Sequence, residues 1–154
     1  MTSSTTVTHI IMGIMSIIGS LYIIQDVLKD PKKRKESVYH RIMLGMSTGD
    51  VLFSFFGFGL SSLPMRKGYN SMATGTVISC DITAFIVTVA LNSSTLYHCS
   101  LATLYLLKLK YMWTETKTKD LEKWMHIVPW AVGICVAIAA SIAKTYGPFV
   151  GVCW

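Results

Sequence analysis

Charge is scarce in this chain. Only 14% of its 154 residues are Asp, Glu, Lys or Arg, where a soluble domain carries about 25%. Much of the molecule is therefore not built to face water. Catalytic equipment is missing too. The four histidines and four cysteines show no metal-ligand spacing, no glycine loop is set to cradle phosphate, and no nucleophile has a base beside it. These absences argue against an enzyme and imply no cofactor. Internal repeats and low-complexity tracts do not occur. A secretory leader begins with basic residues, and the opening MTSSTTVT has none; the first basic cluster follows the first apolar run instead of preceding it. That run is read as a retained helix and the first eight residues as a disordered tail.

What the chain has in abundance is apolar length. Residues 1–28, 42–65, 68–107 and 124–143 are free of Lys and Arg. A helix needs about 20 apolar residues to cross a bilayer, and each interval reaches that length. The expectation is an all-α membrane protein, one domain over residues 1–154, with four transmembrane helices at about 7–28, 40–63, 75–108 and 124–143. Pro31 and the run Lys32-Lys33-Arg34-Lys35 close the first helix, and Pro64 closes the second. At about 1.5 Å per residue the third would be roughly 50 Å long, more than the bilayer core, so it should tilt or protrude. Thr114–Lys123 is a polar loop, and the tail 144–154, with Gly147-Pro148, is not helical.

The basic residues orient these helices. Eleven of the fourteen fall in the segments after the first and third helices: Lys29, Lys32, Lys33, Arg34, Lys35, Arg41, Lys108, Lys110, Lys117, Lys119 and Lys123. Arg66, Lys67 and Lys144 make up the other side. Cytoplasmic loops are enriched in Lys and Arg. Both termini and the 64–74 loop are therefore expected outside the cell, in a multi-pass protein of the plasma membrane. The net charge of +6 then speaks for anionic lipid or a cytoplasmic partner at the inner loops and not for nucleic acid. Cys80 and Cys153 both face the oxidising side, where disulfides persist, so a Cys80–Cys153 bridge is expected, with two free thiols as the alternative. Cys99 and Cys135 lie in apolar helix and should stay reduced.

Asp50 stands nine residues inside Arg41, roughly 13 Å along the helix. A carboxylate at that depth must be paired, protonated or hydrated and must face the bundle. It is either a structural hydrogen-bonder or part of a polar or cation site; a sodium ion there is compatible with the sequence but has no support in it. Gly45 and Gly49 flank it and favour close helix contact. On the third helix Asp81, Thr88, Asn92, Thr95 and Cys99 share one face, widened by Ser94 and His98. This polar arc is expected to line the bundle interior, with Asp50, Asn92, Ser94 and His98 as an intramembrane network and Asp81 as the ligand-side candidate. Asn92-Ser93-Ser94 matches a glycosylation site but lies mid-helix, out of reach of the transferase. Gly133, Ala137 and Ser141 give the fourth helix a small packing face, and Tyr111, Trp113 and Trp124 sit where an aromatic belt belongs.

In order, this chain has an acid within LGMSTGD (Asp50), a cysteine opening helix three (Cys80), Ser94 fourteen residues later, a tryptophan in helix four (Trp130), and a Cys-Trp pair after it (Cys153-Trp154). That arrangement resembles the first four helices of a seven-helix G-protein-coupled receptor. The Cys-Trp pair is closest to the secretin-like and cyclic-AMP-receptor-like groups. The resemblance implies sensing of an extracellular ligand of unknown identity, a disulfide that shapes the ligand mouth, coupling to a heterotrimeric G protein by a full-length receptor, and Trp130 as a packing residue of helix four. At the inner end of helix three, where rhodopsin-like receptors carry Asp-Arg-Tyr, this sequence reads Lys108-Leu109-Lys110-Tyr111; Lys108, Lys110 and Tyr111 are the cytoplasmic-face candidates. Helices five to seven do not follow within these residues, so the chain reads as a fragment or truncated product. The competing reading is a four-helix scaffold or adaptor without signalling activity.

Overall fold

Local signals set the ends of the helices. The computed structural model describes residues 3–59, 74–149 and 152–153. Helix α1 (Ser3–Lys29) is followed by a short α2 (Pro31–Glu36). Pro31, which was expected only to stop the first helix, also opens the next, because its missing N–H is no loss at a first helical position. The Asp30 carboxylate accepts from the Lys32 N–H at 3.1 Å, as an N-cap does. Helix α1 begins at Ser3, so the expected N-terminal tail is largely helical.

The second span differs most from expectation. Its α-helix, α3 (Val38–Phe53), has 16 residues and passes into a π-helical turn, Ser54–Gly59. A π turn bonds residue i to i+5 and so stacks residues five apart. Phe53 and Phe58 meet edge to face there, centroids 5.3 Å apart, and Phe58 also meets His9. The expected end of this helix at 60–63, Pro64 and the loop with Arg66 and Lys67 lie outside the described residues. Among the described helices, three are long and apolar enough to cross a membrane, over Val7–Lys29, Val77–Leu109 and Glu115–Ile142. The expected count of four is therefore corrected to three by that measure.

Helix α4 (Val77–Leu109) starts at a capping box: the Ser79 N–H donates to Thr76 Oγ1, and the Thr76 N–H donates to Ser79 Oγ. Helix α5 (Glu115–Ile142) starts nine residues earlier than expected, because the charged stretch read as a loop is its first two turns. It ends on Lys144 at a φ of 52°, with the Thr145 N–H donating to Ala140 O and the Lys144 N–H to Ser141 O. This is a Schellman closure with lysine where glycine is usual. A short antiparallel pair, β1 (Pro148–Phe149) and β2 (Val152–Cys153), forms the end of the tail.

Helix α4 is the centre of the bundle. It packs on α3 and on α5, while α1 lies against α3 and the π turn. The core cluster is Val38, Ile42, Tyr97, Leu104 and Met125, flanked by Tyr39, Met46, Leu101 and Trp130. Close approach depends on missing side chains. A Cβ on Gly133 would lie 2.6 Å from Ser93 Oγ and 2.9 Å from Val89 O; one on Gly45 would lie 2.8 Å from the Tyr97 ring. Outside this core the surface stays apolar: Ile11, Met15 and Ile18 of α1, and Ile127, Val132 and Ile138 of α5, are exposed. Helices that are apolar on their outer faces as well as their packed ones suit hydrocarbon.

Cys80 and Cys153 are at disulfide distance, with Cα atoms 5.2 Å apart and both side chains buried. The pair fastens the tail to the N-terminal end of α4.

Two outcomes follow from this packing. Gly133→Ala should destabilise the fold by about 1–3 kcal/mol, the range for overpacking a tight contact, read as earlier thermal unfolding in detergent; an unchanged midpoint would contradict the contact with Val89 and Ser93. Thiol counting on the denatured chain should find two reactive cysteines before reduction and four after it. The bridge closes 73 residues, so Cys153→Ser should cost about 4 kcal/mol on the chain-entropy estimate.

Candidate polar core and ion-pair cluster

Two polar groups link the helices. In the first, Ser94 Oγ donates to Asp50 Oδ1 across the contact between α4 and α3, where Gly49 lies against the Ser94 backbone. A hydroxyl donor satisfies part of a carboxyl that lipid cannot. The second group was not foreseen. The Tyr97 hydroxyl accepts from the Trp130 indole N–H at 3.1 Å and lies 2.9 Å from His126 Nδ1, the direction of that bond being set by the imidazole tautomer. Tyr97 is buried on α4 with its ring over Gly45 of α3, so this one side chain meets all three central helices. Ser93 adds a buried bond to the carbonyl of Pro129 at 3.1 Å.

This second group continues to the charged rim. His126 Nε2 is 3.9 Å from Glu122 Oε1. Glu122 takes both ends of the Arg41 guanidinium, Nε on one carboxylate oxygen and Nη2 on the other, the latter at 2.7 Å. Arg41 Nη1 also donates to the Lys35 carbonyl at 2.9 Å, tying α2 to α3 and α5. The forked geometry is the strong form of the interaction. Beside it, Lys108 Nζ donates to Glu115 Oε1 across the turn between α4 and α5. Burial pushes the Glu115 carboxyl up, but Lys108, the Val38 backbone and the Thr118 hydroxyl together hold it below the usual range. The stabilisation this gives is complete above the ordinary glutamate range and is lost as pH falls through the lowered value. Glu115 lies in the charged start of α5, ahead of its apolar stretch.

The expected network is divided differently. Asp50 and Ser94 are together, whereas Asn92 donates to Thr88 O of its own helix at 2.8 Å and His98 is exposed. The arc Asp81, Thr88, Asn92, Thr95 and Cys99 is not the buried face of α4: Thr95 and Cys99 are exposed and the others half-exposed. The face that α4 turns inward carries Thr83, Val87, Ala90, Ser94 and Tyr97 instead. Asp81 lines a cleft of about 480 Å³ at the N-terminal end of α4 with Phe85, Ser141, Lys144 and Tyr146. Cys99 and Cys135 are free thiols on exposed positions. Lys108 is taken by Glu115; Lys110 stands 5.8 Å from the centre of the exposed Tyr111 ring. Trp154 lies outside the described residues. The one sequence signal for the missed cluster was the four-residue spacing of Glu122, His126 and Trp130, which sets them along one face of a helix. Among the described residues no group of three His, Cys, Asp or Glu could hold a metal ion.

The chain matches no family model, no curated protein and no solved structure.

Tyr97→Phe keeps the ring over Gly45 but removes the oxygen that Trp130 and His126 share. Leaving buried donors unpaired costs about 1–3 kcal/mol. The expected result is a lower unfolding midpoint together with a shift in tryptophan emission; an unchanged midpoint would show the hydroxyl to be idle.

Proposed function

We propose that this chain is a multi-pass membrane protein carrying helices one to four of a seven-helix G-protein-coupled receptor, or a fragment of one, with both termini on the outer side. In this reading α1, α3 with its π turn, α4 and α5 each cross the bilayer. The observation that carries it is the outward polar face of α4. Asn92 and His98 stand on the central helix of the bundle off its buried face, half-exposed and exposed respectively, and Asp81 opens into the cleft it shares with Ser141, Lys144 and Tyr146. Polar side chains at membrane depth face protein or a water-filled cavity rather than lipid. Three further helices closing over that face would supply the missing surroundings and complete a ligand pocket beneath the Cys80–Cys153 bridge. The basic inner segments would meet the G protein and anionic lipid.

One observation favours the scaffold reading instead. Thr88, Thr95, Ser100 and Thr103 each donate to a carbonyl one turn back on α4. Hydroxyls satisfied in this way tolerate lipid, so much of this face needs no cover. Only Asp81, Asn92 and His98 retain polar capacity beyond such bonds.

Two measurements test the proposal. An epitope tag at the N-terminus should be reached by antibody on intact cells, and one between Lys117 and Lys123 only after permeabilisation; the reverse pattern would overturn the topology. The transcript downstream of the Trp154 codon should encode three more apolar helices; a stop codon there would leave the scaffold reading.

A further inference from the structure

The groove between α3 and α5 has the charge and shape of a lipid seat. It is a cleft of about 620 Å³ lined by Lys35, Arg41, Leu44, Gly45, Thr48, His126 and Trp130. Small-ligand sites commonly fall in this size range. Its cations lie at one end, and its wall then follows α3 from Arg41 to Thr48, about 10 Å of helix. Trp130 forms the opposite side with its indole N–H already given to Tyr97, so the ring offers only its apolar body. The two rim cations are not equivalent. Arg41 is neutralised by Glu122, whereas the Lys35 ammonium makes no ion pair among the described residues and is exposed. Around it the segment 29–41 has six basic residues against two acidic ones. The cleft thus joins an unneutralised cation at the end near water to an apolar channel running inward, and it opens on the outside of the bundle, where α3 and α5 both leave α4 behind them.

We infer that this cleft seats one anionic phospholipid of the inner leaflet, its phosphate on Lys35 and its first acyl chain against Leu44, Gly45 and Trp130. The charge rules out a peptide with a basic end, and the apolar channel gives no purchase to free phosphate. A basic residue at an anionic surface contributes about 1 kcal/mol, or roughly fivefold in affinity. The inference rests on the membrane-spanning reading, and the experiment separates the two.

The full chain is incorporated into vesicles of phosphatidylcholine with one-fifth phosphatidylserine, washed with carbonate, extracted into mild detergent and examined by native mass spectrometry. The expected result is one phosphatidylserine retained per chain, favoured about fivefold over phosphatidylcholine. Lys35→Gln should abolish the preference, and Thr48→Trp should abolish retention by filling the channel; both positions are exposed, so the fold should survive. Lys119→Gln, away from the cleft, should retain lipid as the wild type does. Equal retention of the two lipids, equal loss in Lys119→Gln, or preferential retention of a neutral sterol overturns the inference. Release of the chain by carbonate would instead overturn the membrane reading itself.

Discussion

Tyr97 sits where three helices meet, and the bundle depends on how closely they can meet there. Its ring occupies the space that a side chain at Gly45 would fill, while its hydroxyl holds Trp130 and stands against His126. A polar atom buried between helices is costly unless satisfied, and once satisfied it favours one register over others. Ser93 on Pro129 and Gly133 repeats the arrangement one turn away. Proline lacks the N–H that would occupy a carbonyl one turn earlier, and its own carbonyl receives the bond from the neighbouring helix. Small residues, a few hydrogen bonds and large apolar exteriors are the means by which helices associate in lipid.

The distribution of charge follows from the same physics. Ion pairs gather at the end of the bundle formed by α2, the start of α3, the end of α4 and the start of α5. Arg41 with Glu122 and Lys108 with Glu115 join segments far apart in sequence or across the turn. Further along the helices, the pairs become uncharged donors and acceptors. Asp50 is the exception, and it has found a hydroxyl rather than a cation. The cluster running from Arg41 through Glu122 and His126 to Tyr97 and Trp130 thus grades from salt bridge to indole hydrogen bond as it passes into the bundle core.

Hydrophobic length and the cessation of charge made the helical class legible in the sequence, because a backbone with no water to bond can only satisfy itself by coiling. The pairing of Cys80 with Cys153 could be read too, since Cys80 opens α4 and Cys153 lies in the tail that follows the neighbouring α5. The residues that hold α5 to its neighbours could not be read. Glu122 falls in the stretch expected as a polar loop, and only the nine-residue extension of α5 sets it on one helical face with His126, turned to Arg41 and Tyr97. The second helix was also misjudged in kind, since a pattern of phenylalanines and glycines does not distinguish an α turn from a π turn.

The sequence by itself determined that these helices are apolar, where most of them begin and end, and which ends carry positive charge. These are properties of composition and of bonds made within a few residues. Tertiary structure alone decided which face of α4 turns inward. Its polar arc and its arc of Tyr97, Ser94 and Thr83 are both compatible with burial, and the choice between them rests on Gly45 and Gly133 admitting one and not the other. Steric fit between two surfaces belongs to the pair and is written in neither strand of sequence alone.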